Sequence, residues 1–486
     1  MPGFQFDPNA LEDTSVSQDQ QTVPVPVSPV VPVNNAVVEN IPVPEVPIPV
    51  APVSVPETPV LEKEEEAEEV AEEELIKKPE RRDPMDREVI PYQEGMDIID
   101  LVDQTFRSGI EQGASDIHFE PFEPFLAVRF RIDGEFQNYQ NFDHRYAEQI
   151  LTRLEVLAGL KLDKNRLPQD GKISYEVEGK RVDMRVSTFP TMYGNKVCIR
   201  LLIKDDKVTT LEDLGYDAKS RALIQKNLDR TYGMVLMTGP TGSGKSTTLF
   251  AMLTSYDSFQ YNISTLEDPI EYFIPGANQS QVNPEIGYDF PNGLRTLVRQ
   301  DPDIIMVGEI RDKITAQLAV NAAITGHLVF STLHANSASA TVQRLMNMDV
   351  DPFLVTSALN LIVSQRLVRR ICSHCKESFT PDAKTLEMVK TEMAAITHEG
   401  DLTFFKGKGC DKCKGKGYKG RVAIYELLEV TPEIAHVIIE NKGVASEIEK
   451  VAVEQQGMVT IKQNGVLAAL KGETTLEEVL IASDAM

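Results

Sequence analysis

The chain has 486 residues, of which 42% are hydrophobic, and a net charge of -25; this is length for about three domains and enough apolar residue to bury sizeable cores. It has no run of about 18 uninterrupted apolar residues and no basic, apolar and small-residue leader, which excludes a membrane-spanning or signal-peptide reading and points to the cytosol. Residues 1–91 carry 20 acidic and 6 basic residues, so the charge excess is concentrated there, and neither part is basic enough to advertise a general nucleic-acid surface.

Residues 23–60 hold 11 of the 29 prolines, alternating with Val and Ile, and nine of the thirteen residues from Glu62 to Glu74 are glutamates. The first segment cannot form a ladder or helix and the second repels itself, so residues 1–91 are expected to be a disordered tether of polyproline II character. Such a segment is either a plain linker or a docking arm for a partner. Order is expected from Tyr92. Apolar residues recur at helical spacing from Met96 to Gln112, and Asp116 to Glu120, Leu126 to Ile132 and Phe136 to Tyr139 alternate as strands around an Asp133-Gly134 turn. A helix over Tyr146 to Leu160 precedes Gln169-Asp-Gly171, followed by strands over Lys172 to Val177, Arg181 to Ser187 and Val197 to Ile203. Residues 92–204 thus read as a small α+β domain, 205–215 as a charged linker, and 216–486 as an α/β domain in which strands and helices alternate.

In that second domain, Gly239, Pro240, Thr241, Gly242, Ser243, Gly244, Lys245 and Ser246 spell a complete G-x-x-x-x-G-K-S phosphate loop. It lies between an apolar run, Met234 to Met237, and a helix expected over Thr247 to Thr254. The glycines let consecutive N–H groups turn toward phosphates, Lys245 reaches the β and γ phosphates, and the Ser246 hydroxyl is placed for Mg²⁺ at a helix N-terminus. The chain is therefore expected to bind a nucleoside triphosphate, ATP, with Thr247 completing the loop's contacts.

Two further apolar runs end in acid: Asn262 to Leu266 in Glu267-Asp-Pro-Ile-Glu271, and Ile304 to Val307 in Gly308-Glu309-Ile-Arg311-Asp312. Strand ends beside a phosphate loop are where such sheets collect catalytic groups. Gly308 stands where a Walker B aspartate is usual, so metal and water handling fall to Glu309, helped by Glu267 or Asp268, with Glu309 favoured for orienting the water. Thr325 to Asn336 sets His327 and His334 at the two ends of a short buried strand. Both are candidates for nucleotide sensing, His334 the stronger. Cys372-Ser-His-Cys375 and Cys410-Asp-Lys-Cys413 suit a closed tetrahedral Zn²⁺ site of structural type, in a subdomain over 372–413. Cys198, the fifth cysteine, reads as a core residue on an apolar strand.

Taken together, the Glu267 to Glu271 segment resembles the Asp box of the secretion ATPase superfamily, Gly308 to Asp312 its atypical Walker B, and Thr325 to Asn336 its His box. That superfamily powers type II secretion, type IV pilus extension and pilus retraction. Supporting matches are Ala114 to Pro121, Arg129 to Gly134, Arg185 to Pro190, Gly417 to Arg421 and Ala423 to Glu426, so the resemblance covers residues 92–486. It implies a RecA-like P-loop ATPase domain preceded by a small PAS-like α+β domain, assembled as a homohexamer on the cytoplasmic face of the inner membrane. The membrane would be reached only through a platform protein, without nucleic acid. It also implies an arginine set, Arg185, Arg200, Arg295 and Arg299, acting on the nucleotide between domains or subunits. The cysteine site resembles that of assembly and export ATPases rather than retraction ATPases, although the two pairs stand closer together than in many relatives. Where pilus extension and type II ATPases usually carry a further folded N-terminal domain, this chain has the tether. Pilus assembly is the leading expectation and type II secretion the alternative; a non-hydrolysing scaffold or a nucleic-acid translocase is disfavoured by the intact Lys245, Glu267 and Glu309 and by the acidic composition.

Overall fold

Two seven-stranded sheets organise the described chain. The computed structural model describes residues 88–164, 166–203, 210–394 and 402–484, which fall within one compact unit. The tether up to residue 87, the connector over 204–209 and residues 395–401 of the cysteine region lie outside the described residues.

The first sheet runs β1 (Val89–Ile90), β4 (Glu135–Asp143), β3 (Phe125–Ile132), β2 (Asp116–Pro121), β7 (Gly194–Ile203), β6 (Lys180–Thr191), β5 (Gln169–Val177). All neighbours are antiparallel except β1 with β4. Asp133 and Gly134 both take positive φ, 53° and 89°, which matches the twist of β3 and β4 in a two-residue hairpin. Helices α1 (Ile98–Glu111) and α2 (Ala147–Leu157) cover one face, packing Val102, Phe106, Ile150 and Leu154 on Ile117, Phe119, Val128 and Phe130. The Asp97 carboxylate accepts from the Ile99 and Asp100 N–H groups and fixes where α1 starts.

Strand β2 alternates, but both faces are buried. Ile117 and Phe119 enter the core, while Asp116, His118 and Glu120 point the other way. Buried carboxylates need partners, and they have them: Asp116 pairs with Arg200 at 3.0 Å, and Glu120 with Lys196 at 2.7 Å and Arg129 at 2.5 Å.

Two expected boundaries move. The first strand, Val89–Ile90, lies before Tyr92 because it pairs with Asn141 and Phe142. Strand β5 begins at Gln169, not Lys172: Gly171 marks a close approach rather than a turn, since a Cβ there would stand 2.5 Å from the Ala158 carbonyl oxygen.

The second sheet runs β10 (Asn278–Gln281), β9 (Ile263–Glu267), β11 (Ile304–Val307), β12 (Leu328–Leu333), β8 (Gly233–Thr238), β13 (Leu359–Ile371), β16 (Tyr418–Glu429). It is parallel except for β16 against β13. Apolar runs rather than alternation are what a sheet covered on both faces requires. Along β8, Met234 and Leu236 belong to one core, with helices α5 (Phe290–Leu297) and α6 (Lys313–Ile324), while Val235 and Met237 belong to the other, with α3 (Ala218–Leu228) and α4 (Lys245–Leu253). Between β13 and β16 the chain makes an excursion containing a two-stranded sheet, β14 (Lys376–Phe379) with β15 (Phe404–Gly407).

Candidate functional site

Strand order decides which groups meet. The phosphate loop leaves the C-terminal end of β8; β12, β11 and β9 follow outward, ending in His334, Gly308-Glu309 and Glu267. With neighbouring strands about 4.8 Å apart, Glu309 sits about two spacings from the loop strand and Glu267 about three.

The loop has the backbone expected of it: Gly239, Gly242 and Gly244 take φ of 140°, 79° and 85°, values only glycine adopts freely. Helix α4 begins at Lys245, two residues before the expected Thr247, which places Ser246 in its first turn. Lys245 Nζ donates to the carbonyls of Gly239 (2.9 Å) and Pro240 (3.0 Å), so the ammonium lies folded over the loop. Burial lowers its pKa, opposed by the nearby Glu309 carboxylate. Thr247 Oγ1 lies 3.0 Å from the Tyr272 hydroxyl, and Thr241 and Ser246 are exposed.

Gly308, where a Walker B aspartate is usual, sits tight against the neighbouring strand. A Cβ at that position would come to 3.3 Å from both Glu267 Cα and the Leu266 carbonyl oxygen, because Gly308 N–H donates to that carbonyl. The next residue, Glu309, is half-buried, pairs with Arg311, and lies 3.7 Å from His334 Nε2. Arg311 also stands 3.8 Å from Asp268. Burial and Lys245 hold His334 below its ordinary pKa, so the imidazole facing Glu309 is neutral at neutral pH. Glu267 is buried, and its Oε1 accepts from Thr265 Oγ1 (2.6 Å) and Gln279 Nε2 (2.9 Å). Glu309 is therefore the carboxylate beside lysine and histidine, and Glu267 the one clamped behind it.

His327 is not part of this group. It precedes β12, at the strand end opposite the loop, and its Nδ1 lies 2.9 Å from the Ala322 carbonyl at the end of α6. Six strand residues at about 3.3 Å each separate it from the phosphate end, so its expected sensing role is withdrawn.

Of the four arginines, Arg185 reaches from the first sheet to the segment that follows β9 of the second. Arg185 Nη1 pairs with Glu271 at 3.0 Å and Nη2 donates to the Ile270 carbonyl at 2.6 Å, so a side chain of the first sheet grips the segment that follows Glu267. Arg200 is its direct cross-strand neighbour but is held by Asp116 within its own sheet. Arg295 and Arg299 are exposed four residues apart; Arg295 donates to Asn292 Oδ1, and Arg299 donates to the Arg295 carbonyl and to Thr296 Oγ1.

Cys372 follows β13, Cys375 precedes β14, Cys410 follows β15 and Cys413 precedes β16, so the four thiols gather at the root of the excursion. All four Sγ atoms lie within 4.8 Å of one another, with pairs at 3.7, 3.8 and 3.9 Å. A tetrahedral ion with Zn–S bonds of about 2.3 Å needs sulfurs about 3.8 Å apart. The Cys410 and Gly417 N–H groups donate to Cys413 Sγ, which favours a thiolate there. Cys198 is half-buried, 3.8 Å from His118 Nε2, rather than fully in the core.

Sequence reasoning missed the groups that hold the loop from behind. Gln365, on β13, donates from Nε2 to the Ser243 carbonyl at 2.7 Å; Gln279 orients Glu267. The signal for Gln365 was available, since Gln365-Arg366 interrupts the apolar run from Leu359 to Val368, whereas nothing local marks Gln279. Among the described residues no helix is long and apolar enough to cross a membrane.

Residues 93–481 match the family model described as Type II/IV secretion system protein. The chain is 46% identical over 380 residues to the type IV pilus assembly ATPase PilB of Thermus thermophilus, covering 78% of this chain and 42% of that protein. It is 44% identical over 385 residues to PilB of Myxococcus xanthus, covering 79% and 67%, and 41% identical over 400 residues to the type II secretion system ATPase E of Vibrio cholerae, covering 82% and 77%. It thus spans less than half of the Thermus relative. Among solved structures, the pilus retraction motor PilT with bound ADP is similar with a TM-score of 0.51 at 27% identity, covering 78% of this chain and 96% of that one. The Legionella pneumophila ATPase DotB shares the fold, with a TM-score of 0.60 at 18% identity, covering 82% and 99%. With a family model over most of its length and relatives of this identity, the chain belongs to the type II/IV secretion system protein family.

Proposed function

We propose that this protein is an ATP hydrolase that works as a hexamer on the cytoplasmic face of the membrane and couples hydrolysis to type IV pilus assembly. The observation that carries a motor reading is Arg185, which reaches from the first sheet to Glu271 and Ile270, adjoining Tyr272, whose hydroxyl lies 3.0 Å from Thr247 Oγ1. A charge supplied by one domain to the other's site makes hydrolysis depend on how the domains close. The relatives named PilB favour pilus assembly; the type II secretion ATPase E at 41% identity keeps protein secretion as the second reading.

In this reading, the loop N–H groups and Lys245 bind the phosphates and Glu309, beside a neutral His334, orients the attacking water. The Ser246 hydroxyl with the carboxylates of Glu309 and Asp268 is an oxygen donor set that fits Mg²⁺, whose chemistry there would be to offset phosphate charge. Arg295, exposed on α5, and Arg299, exposed in the turn just after it, would serve a neighbouring subunit, and Arg200 would act beside Arg185. Membrane contact would come through a platform protein. The test is complementation of a deletion strain with the wild-type gene, reading surface pili and secreted protein separately. Restored pili with unchanged secretion supports assembly, and the reverse result transfers the protein to type II secretion.

The four cysteines are proposed to hold one structural zinc per chain, stapling the excursion at the point where it leaves β13 and rejoins β16. Removing one thiolate opens the shell, so Cys410→Ser should reduce zinc from one per chain to a small fraction of that and lower the thermal midpoint by about 5 °C or more. Metal analysis and a thermal melt on the same preparation check this; chelator-free wild-type protein without zinc removes the assignment.

A further inference from the structure

Behind the phosphate loop lies a buried hydrogen-bond chain with no surface role. Gln365 is buried on β13, next to β8, and uses both ends of its amide. Its Nε2 donates to the Ser243 carbonyl at 2.7 Å, and its Oε1 accepts from Thr248 Oγ1 at 2.8 Å and from the Tyr216 hydroxyl at 2.5 Å. One side chain therefore joins the loop backbone, the helix that follows the loop, and Tyr216, the first residue after the connector.

The fit is close enough to explain the loop's own sequence. A Cβ on Gly239 would lie 2.4 Å from the Gln365 carbonyl oxygen, and one on Gly244 would lie 2.8 Å from Gln365 Nε2. Gly239 thus makes room for the β13 backbone and Gly244 for the Gln365 side chain, while both supply positive φ. At the other end, Tyr216 is buried, stacks on Tyr425 with ring centroids 4.2 Å apart, and follows directly on Leu211 and Leu214, which pack on the same core. Burial raises the Tyr216 pKa, so the hydroxyl keeps its proton and acts as the donor.

We propose that Gln365 is a positioning residue that holds the phosphate loop in its nucleotide-receiving shape and, through Tyr216, ties that shape to the connector between the two domains. An amide is suited to this because it donates and accepts at once in fixed geometry. A loop already held in shape does not have to be ordered when nucleotide arrives, so the effect falls on binding more than on the chemical step. Tyr216 is the first residue after the connector, and its hydroxyl reaches the loop through a single amide, so in this proposal the position of Tyr216 bears on the Ser243 carbonyl.

This inference rests on the loop being the phosphate site, and Lys245→Ala is the control that separates the two. The measurement is ATP affinity and steady-state hydrolysis for the full chain carrying Gln365→Leu, Tyr216→Phe, or both. Gln365→Leu should raise KM and Kd for ATP about tenfold while lowering kcat no more than about threefold, and Tyr216→Phe, which keeps the ring stack, should raise them about threefold. In the Gln365→Leu background, Tyr216→Phe should have no further effect on ATP affinity, because the hydroxyl acts through the amide. A merely structural role would lower the thermal midpoint and kcat and leave KM in place, and that result overturns the proposal. Additive effects of the two substitutions overturn the link to the connector. If Gln365→Leu does not fold, Tyr216→Phe decides alone: an unchanged KM overturns it. If Lys245→Ala binds ATP normally, the phosphate-site reading fails first; if only Lys245→Ala loses ATP, that reading stands and Gln365 has no positioning role.

Discussion

Glu309→Gln is expected to bind ATP as wild type does and to lose turnover by about 100-fold or more. The substitution keeps the shape and removes the charge at the one half-buried carboxylate facing both Lys245 and His334. The group is needed when water attacks and contributes little before that, so the product of the change is a nucleotide-bound trap. Lys245→Ala should differ, losing affinity as well as turnover, since in the proposed site its ammonium, here folded over the Gly239 and Pro240 carbonyls, would contact phosphate directly. Phosphate release and equilibrium nucleotide binding distinguish the pair. Turnover above about a tenth of wild type in Glu309→Gln transfers the water-orienting role to Glu267, which the structure holds between Thr265 and Gln279.

Arg185→Ala is expected to lower kcat by about 10- to 100-fold with ATP affinity changed no more than about threefold. Its guanidinium makes two directed contacts, to the Glu271 carboxylate and the Ile270 carbonyl, so Arg185→Lys should rescue poorly: an ammonium cannot reproduce the planar fork. Arg200→Ala should have the smaller effect, because Arg200 is paired with Asp116 inside its own sheet. Unchanged kcat in Arg185→Ala reduces that contact to an interdomain ion pair without a part in hydrolysis. These two predictions separate chemistry from closure, since Glu309 lies wholly in the second domain and Arg185 reaches it from the first.

The motifs that could be read from the chain are those whose chemistry is local. A phosphate loop works through consecutive backbone N–H groups and one lysine, all within eight residues, so Gly239 to Ser246 declared itself without a fold. The cysteine pairs did likewise as a cluster, because each C-x-x-C turn holds two thiols at fixed spacing and the fold brings the two turns together. Apolar runs at β8, β11 and β12 alternating with helical stretches announced an α/β sheet, and apolar alternation before residue 204 announced the strands of the other sheet. The family resemblance added the order of these parts.

Tertiary structure decided everything that depends on which strand lies beside which. Sequence set two histidines at the ends of one strand and favoured His334; the parallel register of β12 with β8 puts His334 at the phosphate-loop end and His327 at the far end, on a helix carbonyl. Sequence offered Glu267 and Glu309 as similar strand-end acids, and the order β9-β11-β12-β8 places Glu309 nearer the loop. The same holds for Arg185 and Gln365. Arg185 is 86 residues from Glu271 and Gln365 is 122 from Ser243, separations over which no periodicity or propensity carries information. Local backbone preference and ligand spacing are properties of a short segment and are written in it; hydrogen bonds between distant strands exist only after the sheet has chosen its order, and the packing of both faces makes that choice.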